Sequence, residues 1–453
     1  MEEVWRAPIR GRRRNIDDLA ALLLFHLREH RFGAEKRPFD VDRRDFVPLI
    51  AGDFVERMAL DVDEDRRVVD QYIDATESFH RFRGHSAGII FLGNVDFERQ
   101  RFAAGSADFL GYRFTVENIG NHHGRAFFDQ ARTQPWTRDT LANVYSTTKG
   151  IVAVAFALAY DRGLIDYDAP VSLYWPEFAA NGKERATVSQ VLSHQVGLPG
   201  FTAPTRAEDI YDWDACCAKL AAQTPAWPPG ELTCYHAGTF GFLAGEIFRR
   251  AVGRSLGAFI ASQIARPLEA DIHLGNAAKF EARIAPMIAP SVEVDLAALN
   301  LPDVALMSMS NPTLDPAQAN TEAWRNAELP AMNLHATADG VARVFGAIAN
   351  GGELHGLRLL SEGAIDAMTE VQSDRHDQLL GFAVHWARGV ALNTTGVFGS
   401  NPRAFGHTGW GGSFGYADRD AGVGAAYVMN RMGPELVGDA RAVALAQAIS
   451  ACV

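Results

Sequence analysis

The stretch Val144-Tyr145-Ser146-Thr147-Thr148-Lys149-Gly150-Ile151-Val152 decides how this chain is to be read. Ser146 opens a strongly apolar run that carries Ile151, Val152, Val154, Phe156 and Leu158 and closes at Gly163, so the spacing predicts a helix starting there. Residues three apart in the first turn of a helix share a face, which puts the Lys149 amine within reach of the Ser146 hydroxyl. A hydroxyl is a poor nucleophile near neutral pH unless a base takes its proton. The positive end of the helix and burial both disfavour protonated lysine and favour the neutral amine a base requires. Free N–H groups at the same helix end can stabilise an oxyanion. The plainer reading is an N-cap serine beside a surface lysine.

Two further stretches carry chemistry. Tyr235-His236-Ala237 precedes a helix predicted from about 237 to 250 and ended by Gly253. A phenol beside a lysine's charge can become a tyrosinate and shuttle protons. The plainer reading is a buried tyrosine with a satisfied hydroxyl, and His236 receives no role. Gly406-His407-Thr408-Gly409-Trp410-Gly411-Gly412 lies in an extended segment over 405–416, with four glycines in seven residues. Glycines in a strand let a ligand approach the backbone closely. An edge strand there can pair with an extended substrate and supply an oxyanion N–H.

Taken in chain order, these stretches resemble the S-x-x-K, Y-x-N and K-T-G (or H-T-G) signature of the serine β-lactamase and penicillin-binding-protein superfamily. The closest branch is that of class C β-lactamases and family VIII carboxylesterases. The supporting phrases are Val144 through Gly150, Leu192-Ser193-His194-Gln195-Val196-Gly197-Leu198-Pro199, and Phe405-Gly406-His407-Thr408-Gly409, and the similarity covers about 135–453. The resemblance implies an α+β, β-lactamase/transpeptidase-like fold: an antiparallel sheet flanked by helices, with a helical subdomain inserted at about 165–345. It implies Ser146 as the acylated nucleophile, Lys149 as its base and Tyr235 as the partner that moves protons to and from the leaving group. It implies an oxyanion hole from the backbone N–H groups of Ser146 and Trp410, with His407, Thr408 and Gly409 on the substrate side. No metal and no cofactor is implied.

The departures from the signature bear on substrate. Ala237 stands where the family has asparagine, so the amide that recognises an amide side chain is missing. His407 replaces the lysine that attracts a substrate carboxylate, and a histidine of ordinary pKa is mostly neutral at pH 7. Both changes favour neutral esters over charged lactams. The expectation is a carboxylesterase acting through an acyl-enzyme on a small-molecule ester. The alternatives on the same residues are a β-lactamase, a D-amino-acid amidase or peptidase, or an acyltransferase. A non-catalytic binding protein on this fold is the alternative from another class.

Working outward, the chain has 453 residues, 47% apolar and 22% charged, which is ordinary globular composition. The net charge of −12 argues against a phosphate-backbone partner. Only five of the 43 basic residues are lysine, so a lysine inside a motif is informative. Cys216, Cys217, Cys234 and Cys452 form no disulfide or zinc spacing, which fits a reducing compartment. A basic stretch at 10–14 precedes an apolar run at 19–27, but Asp17 and Asp18 intervene and no small-residue cleavage site follows, so an amphipathic helix is expected and not an export signal. No run approaches the ~20 apolar residues of a membrane span. The expected location is therefore cytoplasmic, with homo-oligomer formation possible.

Residues 1–85 read as a partly helical N-terminal extension, with helices near 17–29 and 47–58, and residues 86–453 as the hydrolase domain. The acidic run at 61–65 lacks the glycine and glutamate of a calcium loop. Gly84-His85-Ser86-Ala87-Gly88 matches a nucleophile elbow, but a polar stretch precedes it and a strand follows, the reverse of what that motif needs. Further expectations are strands at 89–92, 112–116 and 425–429, and helices from Thr187, at 337–350 and at 439–449.

Overall fold

The computed structural model describes residues 135–291 and 301–453, together with the backbone of three short strands upstream, Gly88–Leu92, Thr115–Val116 and Phe127–Phe128. All of them lie within the compact unit Arg66–Val453. The predicted extension 1–85, its helices, the acidic run and Ser86 lie outside the described residues.

The principal sheet is six-stranded and α+β in its surroundings. Its strands are β1 (Gly88–Leu92), β2 (Thr115–Val116), β3 (Ala391–Leu392), β4 (Phe405–Thr408), β5 (Phe414–Asp418) and β6 (Val423–Tyr427), in the order β3-β4-β5-β6-β1-β2. Every neighbouring pair is antiparallel except β1 with β6, which run parallel from Gly88↔Val423 to Leu92↔Tyr427. Strand β4 is not the edge strand the sequence suggested. Leu392 and Ala391 pair with Phe405 and Gly406, and the outer pairing stops before His407.

The helices form where the apolar spacing and caps place them. Helix α1 (Thr147–Asp161) is buried on all sides from Thr147 to Ala159, as expected of a helix apolar all round. Helix α2 (Thr239–Val252) ends at Gly253 with φ of 72°, a left-handed stop. Thr187 caps the helix Val188–Leu192 in a capping box with Gln190. Helix α3 (Ala338–Ala349), capped by Thr337, packs on β6, β1 and β5, while α1 packs on β4. Helix α4 (Ala440–Ala451) starts from Asp439. The helices Trp213–Ala222, Leu256–Ile260 and Asp303–Ser310 lie between α1 and α3 in the chain, and the last of these falls where the sequence showed mostly loop. Among the described residues no helix is long and apolar enough to cross a membrane. No group of three or more His, Cys, Asp or Glu there could hold a metal.

Candidate active site

Ser146 sits at the mouth of α1, and the backbone just before it is strained. Tyr145 has φ of 41°, a left-handed conformation that costs a non-glycine residue about 1–3 kcal/mol. Burial of the Tyr145 ring against Trp324 and Trp410 holds it there. Ser146 occupies the N-cap position, yet its side chain makes no capping bond and its backbone is helical. The hydroxyl is therefore not spent on the helix. It lies 3.1 Å from Lys149 Nζ.

Lys149 is fully buried. Its amine donates to the carbonyls of Ala237 at 2.9 Å and Ala331 at 3.0 Å, and no carboxylate joins them. Burial pushes the amine well below its ordinary pKa. A neutral amine has two N–H bonds and one lone pair. The two carbonyls take the N–H bonds, which leaves the lone pair for the Ser146 hydroxyl proton. The rings of Tyr235 and Phe240 complete the dry niche, 4.8 and 5.6 Å from Nζ.

Tyr235 precedes α2 and is buried, with its hydroxyl hydrogen-bonded to the Ser146 side chain. Burial raises the phenol pKa further than that bond lowers it. Burial thus favours the protonated phenol, the opposite direction to the tyrosinate that a charged lysine beside it could produce. Ser308 on the helix Asp303–Ser310 ties this loop down: its Oγ donates to the Tyr235 carbonyl at 2.6 Å and accepts from the Ala237 N–H at 3.1 Å. Ala237 therefore contributes a backbone carbonyl to Lys149 where an asparagine amide was missed in the sequence. His236 accepts from the Leu198 N–H at 3.2 Å and turns Nδ1 to the Cys234 carbonyl at 2.6 Å. Burial lowers it to about 3, and its part is packing.

The glycine-rich strand end closes against the same niche. His407 is buried, and its Nδ1–H donates to the Thr408 carbonyl at 2.6 Å. Burial, with Lys149 nearby, lowers it to about 3, so it carries no charge at neutral pH. Its ring lies 5.9 Å from that of Tyr235. Thr408 is half-buried at the end of β4. Gly409 must be glycine for reasons of space: a Cβ would run into Ser413 Oγ and the Val144 carbonyl. Ser413 Oγ donates to that carbonyl at 2.7 Å and lies 2.9 Å from Thr147 Oγ1, which stitches the turn to the entrance of α1. Trp410 meets the Tyr145 ring edge-on at 5.5 Å. Arg441 holds the Gly411 carbonyl at 2.7 Å. The N–H groups of Ser146 and Trp410 donate to no other group among the described residues.

Sequence reasoning passed over Asp377, Trp386, Ser308 and Ser413. Trp386 lies parallel to the Tyr235 ring at 5.6 Å, with 7° between planes. Asp377 accepts from its indole N–H at 3.0 Å and from the Tyr235 N–H at 3.1 Å. Ser413 had a signal, a hydroxyl directly after a glycine run; the other three sit in no motif.

An α+β frame whose buried serine, lysine and tyrosine meet at a glycine-lined strand is the arrangement of β-lactamase-like serine hydrolases. The chain belongs to the beta-lactamase family, whose model matches residues 99–448. It is 37% identical to the esterase/beta-lactamase LipL of Mycobacterium tuberculosis over 331 residues, 69% of this chain and 74% of that protein. Among solved structures it is similar to a family VIII carboxylesterase, with 38% identity and a TM-score of 0.70 over 86% of this chain and 99% of the other. A penicillin-binding-protein homologue from Caulobacter crescentus shows 33% identity and a TM-score of 0.68 over the same 86% of this chain and 99% of its own.

Proposed function

We propose that this chain is a serine hydrolase that cleaves carboxylic esters through an acyl-enzyme on Ser146. The observation that carries the reading is the buried amine of Lys149, 3.1 Å from the Ser146 hydroxyl with its N–H bonds held by two carbonyls. In acylation Lys149 takes the hydroxyl proton as Oγ bonds to the ester carbonyl carbon. The N–H groups of Ser146 and Trp410 receive the charge that gathers on the carbonyl oxygen. Collapse breaks the bond to the alcohol, Tyr235 passes its proton to the departing oxygen, and the lysine returns one to the phenol. Water then attacks the acyl carbon, the same groups work in reverse, and the acid leaves with the Ser146 hydroxyl restored.

Three features support esters over charged lactams. Ala237 offers no side-chain amide. His407 is neutral. Val304, Met309, Leu380 and Leu436, all apolar and partly buried, pack on the cluster that contains Tyr235 and Trp386. The names of the M. tuberculosis relative and of the carboxylesterase neighbour point the same way. Four free cysteines fit the reducing, cytoplasmic setting.

The test is a panel of nitrophenyl esters set against nitrocefin and D-amino-acid amides, with intact-mass spectrometry after a fluorophosphonate. Ester turnover and a single adduct that Ser146→Ala abolishes are expected. Exclusive lactam or amide turnover would move the substrate class to the second reading, which the double name of the M. tuberculosis relative favours. No adduct, or one that survives Ser146→Ala, would replace the enzyme with a binding protein.

A further inference from the structure

Asp377 is a fully buried carboxylate with no ion-pair partner among the described residues. A lone buried charge is costly unless its oxygens are filled by donors. Here four N–H groups fill them: Tyr235 at 3.1 Å, Leu379 at 3.0 Å and Leu380 at 3.1 Å on Oδ1, and the Trp386 indole at 3.0 Å on Oδ2. Two of the four lead to one side chain. The first is the backbone of Tyr235 itself, and the second is the ring stacked on Tyr235. A structural carboxylate that only closed the turn at 377–380 would need neither.

We infer that Asp377 is a positioning residue for leaving-group protonation: through the Tyr235 N–H and the Trp386 indole it aims the Tyr235 hydroxyl at the departing alcohol. The inference rests on the proposed ester hydrolysis and deepens it. Negative charge close to the phenol also disfavours the phenolate, so the hydroxyl keeps the proton it must give. The substrate class that needs this device is the ester of an ordinary aliphatic alcohol. An alkoxide leaves poorly without a proton, whereas a nitrophenolate leaves unaided.

The discriminating experiment compares a nitrophenyl ester with an alkyl ester of the same acid, for the wild-type full chain, Asp377→Asn, Trp386→Phe and Tyr235→Phe. Asparagine keeps an oxygen for the backbone N–H groups but turns an N–H toward the indole N–H. Asp377→Asn should lose on the order of 10²-fold in kcat on the alkyl ester, the scale of a misplacement of about 1 Å. The loss on the nitrophenyl ester should be about tenfold smaller, with KM nearly unchanged on both. Trp386→Phe, which leaves the carboxylate and its backbone donors in place, should show the same pattern and keeps the test open should Asp377→Asn fail to fold. Equal losses on both esters, or none in either variant, would overturn the role of Asp377. A Tyr235→Phe variant without leaving-group dependence would instead overturn the role given to the tyrosine.

Discussion

Lys149 Nζ lies 4.8 Å from the centre of the Tyr235 ring, over its face. A charged ammonium would gain from that face, but burial lowers the amine pKa and raises that of the phenol, which favours the neutral form of both groups. Ring and hydroxyl of Tyr235 thus do separable work. Tyr235→Phe keeps the ring, its stacking on Trp386 and the backbone bond to Asp377, and removes only the acid. We expect kcat on alkyl esters to fall by about 10²–10⁴. Stability should change by no more than about 1.5 kcal/mol, the worth of one hydrogen bond. Steady-state kinetics and urea unfolding measure the two, and a large stability loss with little loss of kcat would mean the hydroxyl is structural.

The lowered amine of Lys149 has a signature in stability. In the unfolded chain a lysine titrates near 10.4, and in the fold it does so well below. Between those values the unfolded state binds one proton more, so unfolding free energy rises with pH toward about 10 and then levels off. Lys149→Met removes this dependence. The difference between wild type and Lys149→Met should therefore grow with pH by up to about 1.4 kcal/mol per unit. Urea unfolding at pH 7, 8 and 9 checks it. Parallel profiles for the two proteins would show that the lysine is still charged in the fold, and the base assignment would go with them.

The site was legible where chemistry is local. Ser146 and Lys149 are three residues apart on one helix, and the helix start is written in the apolar run after it. Asp377 contacts a tyrosine 142 residues away from a segment with no regular spacing, so no pattern along the chain announces it. The strand Phe405–Thr408 read as an edge because β3, which covers it only at Phe405 and Gly406, has only two residues. Scarcity of lysine helped at Lys149 and would mislead at Lys183. That residue is also fully buried, but it donates to the carbonyls of Ala180 and Gln223 and braces the chain there. At Lys149 a hydroxyl joins the carbonyls around the amine, whereas at Lys183 carbonyls alone receive it.

Buried neutral histidines should make the fold acid-sensitive. Burial lowers His236, His335 and His407 to about 3 and His194 well below its ordinary value. An unfolded histidine titrates near 6.5. Below that pH the unfolded chain takes up protons that the fold refuses, so stability falls as pH falls, by about 1.4 kcal/mol per histidine per unit. Four such groups amount to about 5 kcal/mol per unit, comparable with a whole domain's stability of roughly 5–15 kcal/mol. Denaturant midpoints should collapse between pH 6 and pH 4. His335→Gln, on the strand that pairs with Ala142 and Asn143, should make the slope shallower by one histidine's share. An unchanged slope in that variant would mean His335 takes up its proton in the fold as readily as in the unfolded chain.

Two glycine-to-alanine substitutions should move stability in opposite directions. At Gly424 in β6, a Cβ would run into the backbone of Gly346 on α3. Neither partner can rotate away, since both are backbone. Gly424→Ala should destabilise by about 1–3 kcal/mol or more, the cost of overpacking. It should lower activity too, because α3 also packs on β5, which follows the Trp410 turn. Gly363 lies exposed in the first turn of the helix Glu362–Thr369, and the nearest atom to its absent Cβ is Ser361 Oγ at 3.9 Å. Alanine there meets open space and restricts the unfolded chain, so Gly363→Ala should stabilise by about 0.4–1 kcal/mol and leave activity alone. Urea midpoints at unchanged slope measure both. A tolerated Gly424→Ala would show that α3 does not ride on β6 as closely as these contacts require.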